Sequence, residues 1–188
     1  MWPSLAVEFF NRTGIELKVA DVELEKVADS DLPLLHLAGV QRVELTEAQL
    51  AAVADYTRRG GTLLVETAGG RGKFAGAIAG QLRELFDADP APLPADSPLL
   101  TGEGLVGAYD VRRAEYRRHA AMGPGKRNRL LALIIDARPA VIISREDLSL
   151  GVLGLRRVDV LGYQPQSARR IVANILLAAN AQRAQPTP

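Results

Sequence analysis

Residues 45–73, LTEAQLAAVADYTRRGGTLLVETAGGRGK, constrain the fold more than any other stretch of this chain. Thr46 and Gln49 stand at capping-box spacing, which supplies a side-chain acceptor for helical N–H groups and a reciprocal partner one turn on. Leu50, Val53, Ala54 and Thr57 continue a helical stripe up to Arg59, where Gly60-Gly61 stops it. The apolar run from Thr62 to Glu66 reads as a buried strand. A glycine-rich loop follows, then a second amphipathic helix over 74–86 with Ile78, Leu82, Leu85 and Phe86 facing inward. Helix, strand, loop and helix in this order make half of an open parallel α/β sheet. In such sheets ligands sit beyond the carboxyl ends of the strands.

A chain of 188 residues holds one sizeable core and leaves little room for a second. Its hydrophobic fraction of 47% and charged fraction of 24% are those of an ordinary globular protein. The formal net charge of +1 gives the molecule as a whole no drive toward nucleic acid or anionic membranes. The chain contains no Cys, which excludes disulfides, thiolate metal sites and cysteine nucleophiles. The opening MWPSLAVEFF lacks the basic and apolar regions of a signal peptide, and the apolar stretch 171–179 is interrupted by Asn174. That stretch falls far short of the roughly 20 residues needed to span a bilayer. A cytoplasmic location is the default expectation; a periplasmic domain, or a piece of a longer anchored chain, would read the same way.

Elsewhere, Pro3 and Ser4 open a short helix with Leu5, Phe9 and Phe10 on its apolar side, ended by Thr13-Gly14. Residues 15–19 read as a strand. Residues 34–38, LLHLA, read as another, covered on both faces. Four prolines between 88 and 98 point to an irregular wrap. The alternation over 109–118 suggests an exposed strand, and 121–128 a loop. Strands at 130–135 and 140–144, joined by Asp136-Ala137-Arg138-Pro139, form an expected hairpin added at one side of the sheet. Pro165 starts a last helix to about Ala181, with Ile171, Ile175 and Leu176 buried. The expectation is one α/β domain over 1–181 and a disordered tail over 182–188.

The stretches WPSLAVEFFNRTGI (2–15), LTEAQLAAVADYTRRGGTLLVE (45–66), LPADSPLL (93–100), AVIISREDLSLG (140–151) and GYQPQSARRIVANILLAA (162–179) occur in a characteristic order. In this the chain resembles a bacterial domain-of-unknown-function family, number four-one-five-nine, grouped with class I glutamine amidotransferase-like, or ThuA-like, proteins. The resemblance implies a flavodoxin-like three-layer sandwich with a mainly parallel sheet. It also implies a neighbourhood of MoxR-type ATPases and von Willebrand-type proteins, hence partners in a multiprotein assembly. Three positions depart from the family pattern. Ala68-Gly69-Gly70 stands where members often carry cysteines, Glu66 where Asp is common, and Ser97 where a His follows Asp96. The strand that usually precedes the first helix is also missing from the pattern. Amidotransferases of this class use a Cys–His pair, so their chemistry does not carry over to a chain without sulfur nucleophiles.

Several residues remain as candidates. The loop Ala68-Gly69-Gly70-Arg71-Gly72-Lys73 has the backbone donors and cations to cradle phosphate or carboxylate. It is not a Walker A loop, because no Ser or Thr follows Lys73, and its glycines could equally serve only a tight turn. Gly39 and Thr67, at strand ends, belong to the same expected ligand site, as do Ser144 and Arg145. Glu66 is either a general base or an ion-pair partner of Arg71 or Lys73. Asp147 is either catalytic or a turn cap. His36 is either catalytic or a satisfied core histidine, without the sequence-local partners of a triad. The basic residues Arg112, Arg113, Arg117, Arg118, Lys126, Arg127 and Arg129, with Tyr109 and Tyr116 between them, make either a polyanion-docking face or a solvated edge. No cofactor and no metal-ligand set are expected. The preferred function is a non-catalytic domain that binds a small anionic or carbohydrate ligand, or a protein. The alternative is a hydrolase or carbohydrate-processing enzyme of ThuA-like type using Glu66 and Asp147. Nucleic acid is not the expected partner.

Overall fold

The computed structural model describes residues 1–117, 126–155, 157 and 159–183, with the backbone alone at Lys126. Helix α1 (Trp2–Thr13) carries Pro in its first turn and ends on Gly14 in the left-handed conformation. Strand β1 (Leu34–Gly39), helix α2 (Glu47–Arg58) and strand β2 (Thr62–Thr67) follow. The Thr46–Gln49 capping box is made in both directions. Helix α3 spans Phe74–Phe86, and the short α4 spans Pro98–Thr101. The hairpin is β6 (Leu131–Ile135) with β7 (Arg138–Ser144), its two-residue turn Asp136-Ala137 having positive φ at both positions. A short α5 (Ser149–Val152) and the long α6 (Pro165–Arg183) complete the fold. Two-residue strands β3 (Ala91–Pro92), β4 (Arg113–Ala114) and β5 (Lys126–Arg127) add local pairings.

The main sheet has the order β1-β2-β7-β6-β3. β1, β2 and β7 run parallel, and β6 is antiparallel to both β7 and β3. Side-chain alternation along β2 divides the core. Leu63 and Val65 pack with Val53, Tyr56, Ile78 and Leu82 of α2 and α3, whereas Leu64 packs with Leu5, Phe9 and Ile171 of α1 and α6. Helices therefore cover both faces of a mostly parallel, open sheet.

Several expectations fail in instructive ways. The hairpin is not appended at one side: β7 pairs with β2 and occupies the middle of the sheet. β1 is an edge strand and only half-buried, so its apolar run does not mean burial on both faces. Residues 15–19 form no strand, and Val19 is exposed. In 109–117 only Arg113–Ala114 pairs as a strand; Val111, Ala114 and Tyr116 are buried against α6 and Tyr163 rather than lying exposed. Residues 126–127 of the expected 121–128 loop form β5, and 91–92 of the proline-rich stretch pair with β6. Phe10 points to solvent, while Leu85, Phe86 and Leu176 are half-buried. α6 continues through Gln182 and Arg183, past its expected end. Positions 118, 121–125 and 184–188 of these expectations lie outside the described residues.

Asn174, which interrupts the apolar face of α6, is fully buried and pins the 99–109 segment to that helix. Its Nδ2 donates to the carbonyls of Leu99 at 2.8 Å and Tyr109 at 2.7 Å, and its Oδ1 accepts from the Tyr109 N–H at 2.9 Å. Replacing it would strand buried backbone groups. Asn174→Ala is expected to lower stability by about 3 kcal/mol. Urea unfolding should register this as a reduced midpoint with an unchanged slope.

Candidate ligand cleft at the strand ends

Three parallel strands end side by side at Gly39, Thr67 and Ser144, and the loops leaving them form a single rim. After β2 the chain turns through Ala68–Gly70 and enters α3. Close backbone contact fixes this turn. A Cβ at Gly70 would lie 1.7 Å from the Leu161 carbonyl oxygen, and one at Gly72 would lie 1.8 Å from that of Val40. Gly70 also has φ +68, so both packing and conformation require glycine there. The Lys73 N–H donates to the Val40 carbonyl at 2.9 Å, tying the loop after β2 to the loop after β1. The Thr67 hydroxyl accepts from the Ala75 N–H at 3.1 Å and so caps α3 from the strand end.

Below the rim, on the α5/α6 side of the sheet, lies a buried polar centre. Glu66 has no exposed surface. Its Oε1 is bonded to His36 Nε2 at 2.9 Å and accepts from the Ser149 hydroxyl; its Oε2 accepts from the N–H groups of Leu148 at 2.6 Å and Ser149 at 3.1 Å. Burial pushes the Glu66 pKa up, but the His36 interaction and the bonds from Ser149 and Leu148 outweigh it, and the group sits below its ordinary value. Asp147 is buried too. Its Oδ2 accepts from the Gly69 N–H and its Oδ1 from the Leu150 N–H, both at 2.8 Å. Here burial wins, helped by the neighbouring Glu66 charge, and the pKa rises.

Ser149, Glu66 and His36 do not constitute a nucleophilic triad. The carboxylate stands in the middle, and a serine bonded to a low-pKa carboxylate has no competent base to take its proton. Ser144 is also fully buried, and its hydroxyl donates to the Glu146 carbonyl at 2.6 Å. His36 packs against Trp2, edge to face, with centroids 5.4 Å apart. Glu66 thus pairs with His36 and the start of α5, and not with Arg71 or Lys73.

Above these groups opens a cleft of about 640 Å³, lined by Arg42, Thr67, Gly70, Arg71, Gly72, Lys73, Gly76, Ala77, Arg145 and Leu161. It brings together Thr67, Gly70, Arg71, Lys73 and Arg145 from the sequence-derived ligand site. It does not include the other three. Gly39 is packed beneath the Phe74 ring, Gly69 gives its N–H to Asp147, and Ser144 is buried. Glu66, Asp147 and His36 do not line it either. Gly72 of the expected loop lines it as well, whereas sequence reasoning missed Arg42, Gly76, Ala77 and Leu161. Arg42 was findable, since it follows the end of β1 much as Arg145 follows the end of β7.

Among the described residues the lining contains four cationic side chains and no carboxylate. Arg71 is oriented by donation from Nε to the Asp159 carbonyl at 2.6 Å, while the Asp159 carboxylate pairs with Arg157. Arg42 pairs with Glu44 at 3.0 Å, both largely exposed, an arrangement weak enough to give way to a ligand.

The basic residues of 112–129 are scattered by the fold. Arg112 pairs with Asp110, Arg129 pairs with Glu146, and Arg117 is buried, donating to the carbonyls of Tyr163 and Leu150. Arg113 and Arg127 face each other across the β4–β5 pairing, and Arg118 lies outside the described residues. Among the described residues, no group of three His, Asp or Glu is arranged to hold a metal, and no helix is long and apolar enough to cross a membrane.

The family described as Domain of unknown function (DUF4159) matches residues 1–179. The chain belongs to that family. No curated protein matches it. In this DUF4159 chain the three positions singled out by the resemblance have structural places. Glu66 is the buried acceptor, Gly69 and Gly70 hold the tight turn, and Ser97 precedes Pro98 at the start of α4.

The Glu66 arrangement gives a signed pH dependence. Its lowered pKa means that its stabilisation is complete above the ordinary value of 4.5 and is lost as pH falls through the lower, folded-state value. Asp147 acts oppositely: its raised pKa favours the fold at low pH, and that contribution is lost as pH rises through the folded value. Glu66→Gln replaces one acceptor oxygen by an amide and is expected to cost about 2–3 kcal/mol at pH 7. Denaturant titrations across pH should show the gap to the native sequence narrowing in the acid range. A constant gap would mean that the carboxylate charge is not what stabilises the site.

Proposed function

We propose that this DUF4159 domain is a non-catalytic binding domain on a flavodoxin-like, class I glutamine amidotransferase-like scaffold, and that its ligand is an anion held in the cleft at the strand ends. The observation that carries this reading is the division of charge. Among the described residues the cleft wall offers Arg42, Arg71, Lys73 and Arg145 without a carboxylate, whereas Glu66, Asp147 and Ser144 are buried beneath it with their polar atoms engaged. Binding an anion needs accessible cations and backbone donors. Hydrolysis needs an accessible base or nucleophile within reach of a substrate.

The same observations lend less support to a ThuA-like hydrolase built on Glu66 and Asp147, because neither carboxylate reaches the cleft lining. Docking of polyanions through residues 112–129 is weakened by the internal partners of Arg112, Arg117 and Arg129.

Anion binding should stabilise the fold by mass action. A ligand a hundredfold above its Kd adds about 2.7 kcal/mol, which raises the melting temperature of a domain this size by about 5–10 °C. Thermal melts at low ionic strength with phosphate, sulfate and citrate are expected to show such a rise for at least one of them. Added sodium chloride should suppress it, and the double substitution Arg71→Ala/Lys73→Ala should remove it. Melts unmoved by every anion, or a response that survives the double substitution, would defeat the reading.

A further inference from the structure

The cations of the cleft are not clustered at one point. Arg42 leaves the end of β1, Arg71 and Lys73 lie in the loop after β2, and Arg145 follows β7. These are three adjacent parallel strands, and neighbouring strands lie about 5 Å apart, so the charged rim spans roughly 10 Å from the β1 side to the β7 side. A single tetrahedral or carboxylate anion satisfies only one part of such a rim.

From this spread we infer that the ligand is an oligophosphate: a chain of two or more linked phosphates, free or as part of a larger molecule, laid across the three loops. The inference rests on the anion-binding reading and specifies its ligand class. Three of the four cations are arginines, whose planar forks bind phosphate oxygens in pairs. Arg71 is already oriented by its bond to the Asp159 carbonyl, which lowers the ordering cost of binding.

The centre of the rim is the N-terminus of α3, a helix of 13 residues. Of its first-turn donors, Ala75 is capped by Thr67, whereas the N–H groups of Phe74 and Gly76 have no hydrogen-bond partner among the described residues. Gly76 belongs to the cleft wall, and a Cβ built on it meets nothing within 4 Å, so the backbone lies open to a ligand at that point. The helix end thus adds fixed positive potential midway between the Arg42 and Arg145 sides.

Among the described residues the lining contains no aromatic residue. These residues offer no ring on which a nucleobase or sugar could stack, so recognition is directed at the phosphates and not at what they are attached to. This separates the two sources of such a ligand: a nucleoside diphosphate should bind no more tightly than pyrophosphate itself.

Gly76 provides a clean test. It is exposed on α3 and has room for a side chain, and glutamate is a better helix former than glycine. Gly76→Glu therefore places a carboxylate in the cleft without disturbing the core. Isothermal titrations at low salt, free of divalent ions, would compare phosphate, citrate, pyrophosphate, tripolyphosphate and ADP. Pyrophosphate and tripolyphosphate are expected to bind at least tenfold more tightly than phosphate, with ADP no tighter than pyrophosphate. Arg42→Ala and Arg145→Ala should each weaken tripolyphosphate about tenfold and leave phosphate nearly unchanged. Gly76→Glu should abolish binding while the melting temperature is maintained or raised. If phosphate or citrate binds as tightly as pyrophosphate, the oligophosphate inference fails and the anion-binding reading stands. The inference fails in the same way if Gly76→Glu binds as the native sequence does. If no anion binds, both fail together.

Discussion

A carboxylate with no exposed surface must find its donors inside the protein, and Glu66 finds them on two separate parts of the chain. The imidazole of β1 approaches from one side, while the backbone at the start of α5 and the Ser149 hydroxyl close over the other. Removing an ion from water costs several kcal/mol unless such partners are in place. The middle of β1, the end of β2 and the entry to α5 are therefore held in one arrangement. Asp147 repeats the device one step further on, joining the loop after β2 to the same helix start through Gly69 and Leu150. The two acids staple the strand ends from beneath, and this leaves the cations of the same loops facing outward.

This division of labour bears on how a scaffold of this kind can keep a place for ligands whatever residues fill its loops. The crevice beyond the carboxyl ends of parallel strands comes from topology, not from any nucleophile. In this chain the loop that the family resemblance associates with sulfur is filled by glycines. Their lack of a side chain lets the Leu161 and Val40 carbonyls approach the backbone. Tight packing of the loop and exposure of Arg71 and Lys73 are thus two aspects of one geometry.

Much of this was legible in the residues. The capping box at Thr46, the double-glycine stop and the span of α3 are local signals, set by hydrogen bonds within a few positions, and they were found where expected. The family membership also followed from motif order. What failed depended on long-range placement. Strand β1 has the apolar run of a central strand yet lies at the edge, and β7 belongs to a hairpin yet pairs in parallel with β2. At the site, Glu66 and Asp147 were visible as carboxylates near strand ends. Nothing in the sequence revealed that backbone donors nearly 80 or more positions away would engage them. Arg42 and Gly76 were passed over because their importance comes from neighbours brought in by the sheet.

Trp2 is the chain's sole tryptophan, and its indole sits edge-on to His36, the imidazole that touches the buried carboxylate. Nature has placed an optical probe one residue from the electrostatic heart of the fold. Its emission is expected to report the packing around that imidazole with no dye attached. Loosening of β1 at the sheet's outer margin is thus expected to register in the light this one residue emits.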